Sequence, residues 1–180
     1  MMHINNEIYY FVSKFNRKEI KKLQKNVTVI YRNYNNSYTE KEIKEYNKYC
    51  KSLNIKFFLA NNIKLVNKLN LDGAYIPSFN TNLNSNILRK KKISIIGSAH
   101  NLREINIKNK QNVDKIVISP VFKNTEKNKK LSISQFNILT INNHKKRYIA
   151  LGGINRFNIK KIKMLNCIGF ASISYIRDNL

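Results

Sequence analysis

Acidic residues, glycine, proline and cysteine are all scarce in this chain. Ten Asp and Glu face 34 Lys and Arg among 180 residues, a formal net charge of +24. Such a field draws polyanions: nucleic acid, an anionic membrane or a phosphorylated substrate. The lysines are scattered, however, and the chain is heavy in Asn and Ile. An AT-rich coding sequence therefore accounts for the charge better than a nucleic-acid patch does. Cys50 and Cys167 have no metal-ligand spacing and read as reduced, structural thiols of a cytoplasmic protein. His3, His100 and His144 show no zinc spacing. No apolar run nears the roughly 18 residues of a membrane span, and the N-terminal stretch does not read as a signal peptide. There is no nucleophile elbow and no GxGxxG after the first strand-like run.

What is present is patterned. Hydrophobic residues make up 42% of the chain, enough for a proper core. Gly73, Pro77, Gly97, Pro120, Gly152, Gly153 and Gly169 border short apolar runs, where backbone freedom or a missing donor ends a strand. Strand-like runs fall at 7–12, 27–32, 55–60, 73–76, 93–97, 115–119, 147–151 and 170–174. Several are continuous and rich in β-branched residues, as in parallel strands covered on both faces. Helical patterns lie between them, at 17–25, 39–53, 62–70, 83–90, 101–111, 131–142 and 156–166. Thr39 and Glu42 form a capping-box pattern ahead of Ile43, Tyr46, Tyr49, Cys50 and Leu53. The last segment predicts a core stripe of Phe157, Ile159, Ile162 and Leu165. Tyr9, Tyr10, Tyr31, Tyr34 and Tyr38 lie near lysines, but most sit in strand-like runs where aromatic residues pack in the core. One long polar loop, 123–130, follows the sixth run.

Eight strands alternating with about seven helices predict an α/β fold, a compact (β/α)8 TIM barrel spanning 1–180 as one domain. The chain is short beside the usual length of about 250 residues. A doubly wound open sheet is the alternative, but it does not require eight strands. In a barrel, chemistry gathers at the strand C-terminal ends, and the seventh and eighth loops commonly bind phosphate. Gly152-Gly153 follows the seventh strand, and Ser172-Ile173-Ser174 ends the eighth. Glycine lets an anion approach the main chain, and a helix start offers unpaired N–H donors. The plainer reading has the glycines turning the chain and Ser174 capping the last helix. Both readings stay open at this level.

These residues carry a family resemblance. Ser98-Ala99-His100, Ser119-Pro120-Val121-Phe122 with Lys127 beyond, Ala150-Leu151-Gly152-Gly153-Ile154, and Gly169 leading into Ile173-Ser174 occur in order. Together they resemble the thiamine phosphate synthase and thiazole tautomerase superfamily. In the first half, Arg32 falls on the family's Gln-x-Arg-x-Lys strand, and Asp72-Gly73 matches its Asp-Gly strand. The resemblance implies a transferase of thiamine biosynthesis joining a pyrimidine diphosphate to a thiazole phosphate with release of pyrophosphate. It implies thiazole-phosphate binding by Gly152, Gly153, Ile173 and Ser174. It gives Arg32, Ser98 and Lys127 the catalytic roles, with Arg32 and Lys127 gripping the diphosphate and Ser98 bonding a substrate oxygen. Asn61, Asn80 and Ser119 take substrate-binding positions. The implied partners are phosphorylated small molecules; nucleic acid and membrane are not, and a homo-oligomer is left open.

The chain also departs from the pattern. The family's magnesium aspartates fall at Asn61 and Asn80, so the implied Mg2+ site is degenerate: asparagine brings no charge, and magnesium prefers carboxylate and phosphate oxygens. The lysine and glutamine of the Gln-x-Arg-x-Lys strand fall at Tyr34 and Ile30, and two loop threonines at Asn124 and Glu126. The tautomerase branch uses no metal, and Ile76-Pro77-Ser78 resembles its turn. Its catalytic histidine, however, corresponds to Pro120, which cannot relay protons. His100 matches both branches and reads as structural. A thiazole tautomerase-like or non-catalytic phosphate-binding relative is the alternative.

Overall fold

The computed structural model describes residues 7–35, 37–83, 93–122, 130–141 and 146–180. Eight strands run β1 Glu7–Val12, β2 Val27–Tyr31, β3 Phe57–Ala60, β4 Gly73–Ile76, β5 Ser94–Ala99, β6 Lys115–Ile118, β7 Arg147–Leu151 and β8 Gly169–Ser172. Each pairs in parallel with the next, and β8 returns to β1 through Glu7↔Gly169 to Tyr10↔Ser172, closing the barrel. The predicted (β/α)8 barrel is the fold observed.

Strand alternation sorts the side chains into two sets. Tyr9, Phe11, Ile30, Phe58, Ala60, Tyr75, Ile96, Val117, Ile149 and Ala171 form one buried cluster, which fills the lumen. Their strand neighbours, such as Tyr10, Val29, Phe57, Ile95, Ile116 and Phe170, belong to a second, larger cluster that packs outward against the helices. Both faces of the strands are therefore largely apolar, which is why the runs read as continuous rather than alternating. Tyr9, Tyr10 and Tyr31 are buried, as the core reading required.

The described helices are α1 Arg17–Lys22, α2 Glu40–Ser52, α3 Ile63–Lys68, α4 Leu102–Lys110, α5 Ile133–Ile141 and α6 Ser174–Arg177, with a 3₁₀ segment at Ile159–Met164. Five begin on a side-chain cap: Asn16, Thr39, Asn62, Asn101 and Ser132 each accept from main-chain N–H groups of the first turn. The Thr39–Glu42 capping box forms in full. Asparagine also ends helices here. Asn54, Asn70 and Asn112 take positive φ of 57°, 49° and 54° just past α2, α3 and α4. That left-handed position usually holds glycine, and in a chain with five glycines asparagine stands in, because its short amide tolerates the conformation.

The expectations for 156–166 and for 170–174 need correction. The 156–166 segment is a 3₁₀ helix rather than an α-helix, and Phe157 is 80% exposed, outside the core. Ile159, Ile162 and Leu165 recur every third residue, the spacing at which a 3₁₀ helix stacks one face. The eighth strand stops at Ser172, and Ser174 opens α6. There Ser172 Oγ accepts from the Tyr175 N–H at 3.2 Å, so Ser172 rather than Ser174 caps the turn. Nearly all of the predicted helix at 83–90 and of the loop at 123–130 lies outside the described residues.

At the N-terminal floor of the lumen, Lys115 Nζ meets Glu7 Oε2 at 2.5 Å and Tyr9 Oη at 3.1 Å, and Arg147 approaches Glu7 at 3.8 Å. No described helix is long and apolar enough to cross a membrane.

Candidate active site

A cavity of about 1130 Å³ opens at the C-terminal ends of the strands, the face on which barrel enzymes place their chemistry. Its cationic lining residues are Arg32, Lys130 and Arg177, and no described carboxylate lines it. Its charged lining among the described residues is therefore basic.

One wall comes from the loops after β7 and β8. Gly152 and Gly153 have φ of 101° and 66°, a region closed to most side chains. A Cβ on Gly152 would also lie 2.9 Å from Pro120 Cα. Both glycine carbonyls are occupied as acceptors: Gly152 O takes the Phe122 N–H at 3.0 Å, and Gly153 O takes Asn158 Nδ2 at 2.7 Å. Ile173 and Ser174 line the same cavity from the start of α6.

The opposite wall comes from β2, β4 and β5. The Arg32 N–H bonds Val12 O at 2.8 Å, fixing the chain as it leaves β2. Its guanidinium lies 4.9 Å from the Phe11 ring centroid, and Phe11 meets Tyr75 edge-on at 5.1 Å. Burial pushes the Tyr75 phenol up, while the Ser98 hydroxyl and the Arg32 guanidinium favour its ionised form. At the rim, Tyr34 and Phe79 meet edge-to-face at 5.2 Å.

Between these walls, His100 bridges the loops after β5 and β6. Its Nδ1 is 2.7 Å from the Ser119 carbonyl and 3.2 Å from Ser119 Oγ, and the main-chain N–H of His100 donates to Glu104 Oε2 at 2.8 Å. The short contact to a carbonyl places the proton on Nδ1. The ring ties two loops together, which supports its structural reading.

The structure thus brings Arg32, Ser98, Ser119, Gly152, Gly153, Ile173 and Ser174 around one cavity. Lys127 lies outside the described residues. Asn61 and Asn80 do not line the cavity; they bond each other, Asn80 Nδ2 donating to Asn61 Oδ1 at 2.7 Å. Asn80 Oδ1 also accepts from the Asn82 N–H at 2.9 Å. Both amide oxygens are engaged and neither residue carries charge, so this pair does not fit a magnesium ion. Among the described residues, no cluster of three or more His, Cys, Asp or Glu could hold a metal.

Sequence reasoning missed Tyr34, Phe79, Lys130, Gln135 and Arg177 as cavity residues. It also missed Lys108, whose only signal was a lysine three residues after Ile105 on the buried stripe of α4.

Comparisons with known proteins agree with this architecture. The family model described as thiamine monophosphate synthase matches residues 16–176. A thiamine-phosphate synthase of Prochlorococcus marinus is 32% identical over 143 residues, covering 75% of this chain. The match spans only 40% of that relative's length. Among solved structures, a thiamine phosphate pyrophosphorylase from Pyrococcus furiosus superposes with a TM-score of 0.73 at 16% identity, over 96% of this chain and 90% of that one. A glycerol uptake operon antiterminator-related protein from Thermotoga maritima gives a TM-score of 0.63 at 15% identity, over 95% and 96%. At such identities the structural matches speak for the barrel alone. From the residues matched by the family model, the chain belongs to the thiamine monophosphate synthase family.

Proposed function

We propose that this chain is a thiamine phosphate synthase-type transferase, joining a pyrimidine diphosphate to a thiazole phosphate with release of pyrophosphate. The observation that carries the reading is the sharing of one cavity, with no carboxylate among its described lining, by Arg32 and Ser98 on one side and Gly152, Gly153, Ile173 and Ser174 on the other. Two anionic groups are then held apart at opposite walls of one space.

In this reading the thiazole phosphate sits against the glycine pair and the start of α6, where main-chain N–H groups and Arg177 meet its charge. The pyrimidine diphosphate leaves toward Arg32. The bond from the pyrimidine methylene carbon to the diphosphate oxygen breaks, and its electron pair departs with pyrophosphate. The thiazole nitrogen supplies the lone pair for the new C–N bond. Little covalent chemistry is asked of the protein, so positioning and fixed positive charge supply the rate. Arg32 suits the leaving group because its planar fork can bond two oxygens at once. Ser98 would bond a substrate oxygen from β5. The tautomerase alternative is weakened by Pro120, which stands at the position of its proton-relaying histidine.

Incubating the full chain with both phosphorylated precursors, with and without magnesium, tests this directly. Thiamine phosphate above the level given by Arg32→Ala supports the transferase; binding of both precursors without product leaves a non-catalytic relative.

A further inference from the structure

Beneath the loop that follows β4 lies an ammonium group that the cavity does not use. Lys108 and Gln111, from α4 and its C-cap, are both fully buried. Lys108 Nζ donates to Pro77 O at 2.7 Å, Asn80 O at 2.8 Å and Gln111 Oε1 at 2.8 Å. Gln111 Nε2 adds bonds to Asn80 O at 2.9 Å and Asn82 O at 2.8 Å. An ammonium has three protons, and all three are used. A buried charge is costly unless so satisfied, and here every acceptor but one is a main-chain carbonyl of the 77–82 segment. The stem reaches this place across Gly97, where a Cβ would lie 2.7 Å from Lys108 Cδ. On its other side the same loop is fastened by the hydrogen bond from Asn80 Nδ2 to Asn61 Oδ1, and Asn61 is itself held by its main-chain N–H on Tyr75 O at 2.8 Å.

These contacts act on one segment from two directions. The two asparagines stand where the resemblance places acidic ligands of a divalent cation, and a lysine with a glutamine fastens the backbone of the residue that would have held it. We propose that Asn61–Asn80 and Lys108–Gln111 together form a protein strut that replaces a divalent cation, holding the β4 loop at the cavity's edge and making anion binding by this chain independent of magnesium. The strut does not touch the anion: its protons are spent on the loop, and Lys108 and Gln111 are positioning residues. The inference rests on the transferase reading only in taking pyrophosphate as the probe.

The test uses the full chain as wild type, Asn61→Asp/Asn80→Asp, Lys108→Met and Gln111→Leu. Pyrophosphate is titrated by calorimetry with magnesium chloride and again with EDTA. The wild type is expected to bind equally in both, while the aspartate pair gains about tenfold or more from magnesium. A comparable magnesium-dependent gain in the wild type overturns the proposal. Amide hydrogen exchange across residues 78–82 gives a reading that needs no ligand. Lys108→Met and Gln111→Leu are expected to speed exchange there about tenfold without a matching rise in the barrel strands. Gln111→Leu retains the lysine and serves if Lys108→Met does not fold; unchanged loop exchange in it counts against the strut. Should the wild type ignore pyrophosphate in both buffers, the transferase reading falls, and exchange alone judges the strut. Loop protection in EDTA that magnesium does not alter then supports it, and protection that appears only with magnesium sinks it.

Discussion

The guanidinium of Arg32 rests on the face of Phe11, 4.9 Å from the ring centroid, with Phe11 buried in the top of the barrel lumen. A cation held over an aromatic face, partly desolvated, gains about 1–2 kcal/mol, and the ring beneath it is buried and packed edge-on against Tyr75. Arg32→Ala is therefore expected to lower thiamine phosphate formation by about 100-fold, the scale for removing one preorganised electrostatic group. Its melting temperature should change little. Arg32→Lys keeps the charge but loses the fork and the stacking, so it should recover only part of the rate. Steady-state kinetics beside a melting curve for both variants separates a functional role from a structural one. Equal loss of rate and of fold would rule out the proposed role.

Gly152→Ala should damage both stability and anion binding. The new methyl would meet Pro120 Cα at 2.9 Å on a backbone with φ of 101°. Strained backbone of this kind costs on the order of 1–3 kcal/mol, and the loop can relieve it only by moving the glycine pair. Denaturant unfolding together with inorganic phosphate titration checks this. A variant with wild-type stability and wild-type phosphate affinity would show the loop to be a simple turn.

The barrel was legible because its runs are apolar on both faces, and residues such as Ile116, Val117 and Ile118 are all buried. That Gly152, Gly153 and Ser174 line one cavity was legible because they follow the ends of neighbouring barrel strands. What stayed hidden depends on contacts between distant segments. Nothing in the sequence near Lys108 announces that its ammonium will find Pro77 O, 31 residues away. Nor does anything near Tyr34 announce its edge contact with Phe79 across the cavity mouth. The 156–166 segment misled because a three-residue apolar repeat fits a 3.6-residue period over a short stretch, and exposed Phe157 happened to extend it.

Thr39→Ala should weaken the protein through α2 alone. Thr39 Oγ1 accepts the Glu42 N–H at 3.2 Å, and Glu42 Oε2 accepts the Thr39 N–H at 2.7 Å, so one substitution opens the reciprocal box. The expected loss is about 1 kcal/mol. It should appear in the denaturant midpoint with no change in phosphate affinity, since α2 does not line the cavity. A substantial change in affinity would mean that α2 couples to the site by a route not visible in its contacts.

The floor of the barrel makes a prediction about acid. Burial alone would raise the Glu7 carboxyl, but hydrogen bonds with Lys115 and Tyr9, and the charges of Lys115 and Arg147, outweigh it and hold the group below its ordinary 4.5. A carboxyl lowered on folding stabilises the folded state above its unfolded pKa and loses that contribution as pH falls through the folded value. Glu7→Gln should therefore melt below the wild type at pH 7, with the gap narrowing as pH drops beneath 4.5. Lys115→Met should behave less mildly, because it leaves the half-buried carboxylate without its nearest cation, and removing one partner of such a pair costs more than the pair contributes. Melting curves from pH 7 down to about 3 for the three proteins decide it. A Glu7→Gln gap that stays constant across that range would mean the carboxylate's ionisation contributes nothing, and that the glutamine disturbs packing around Tyr9 instead.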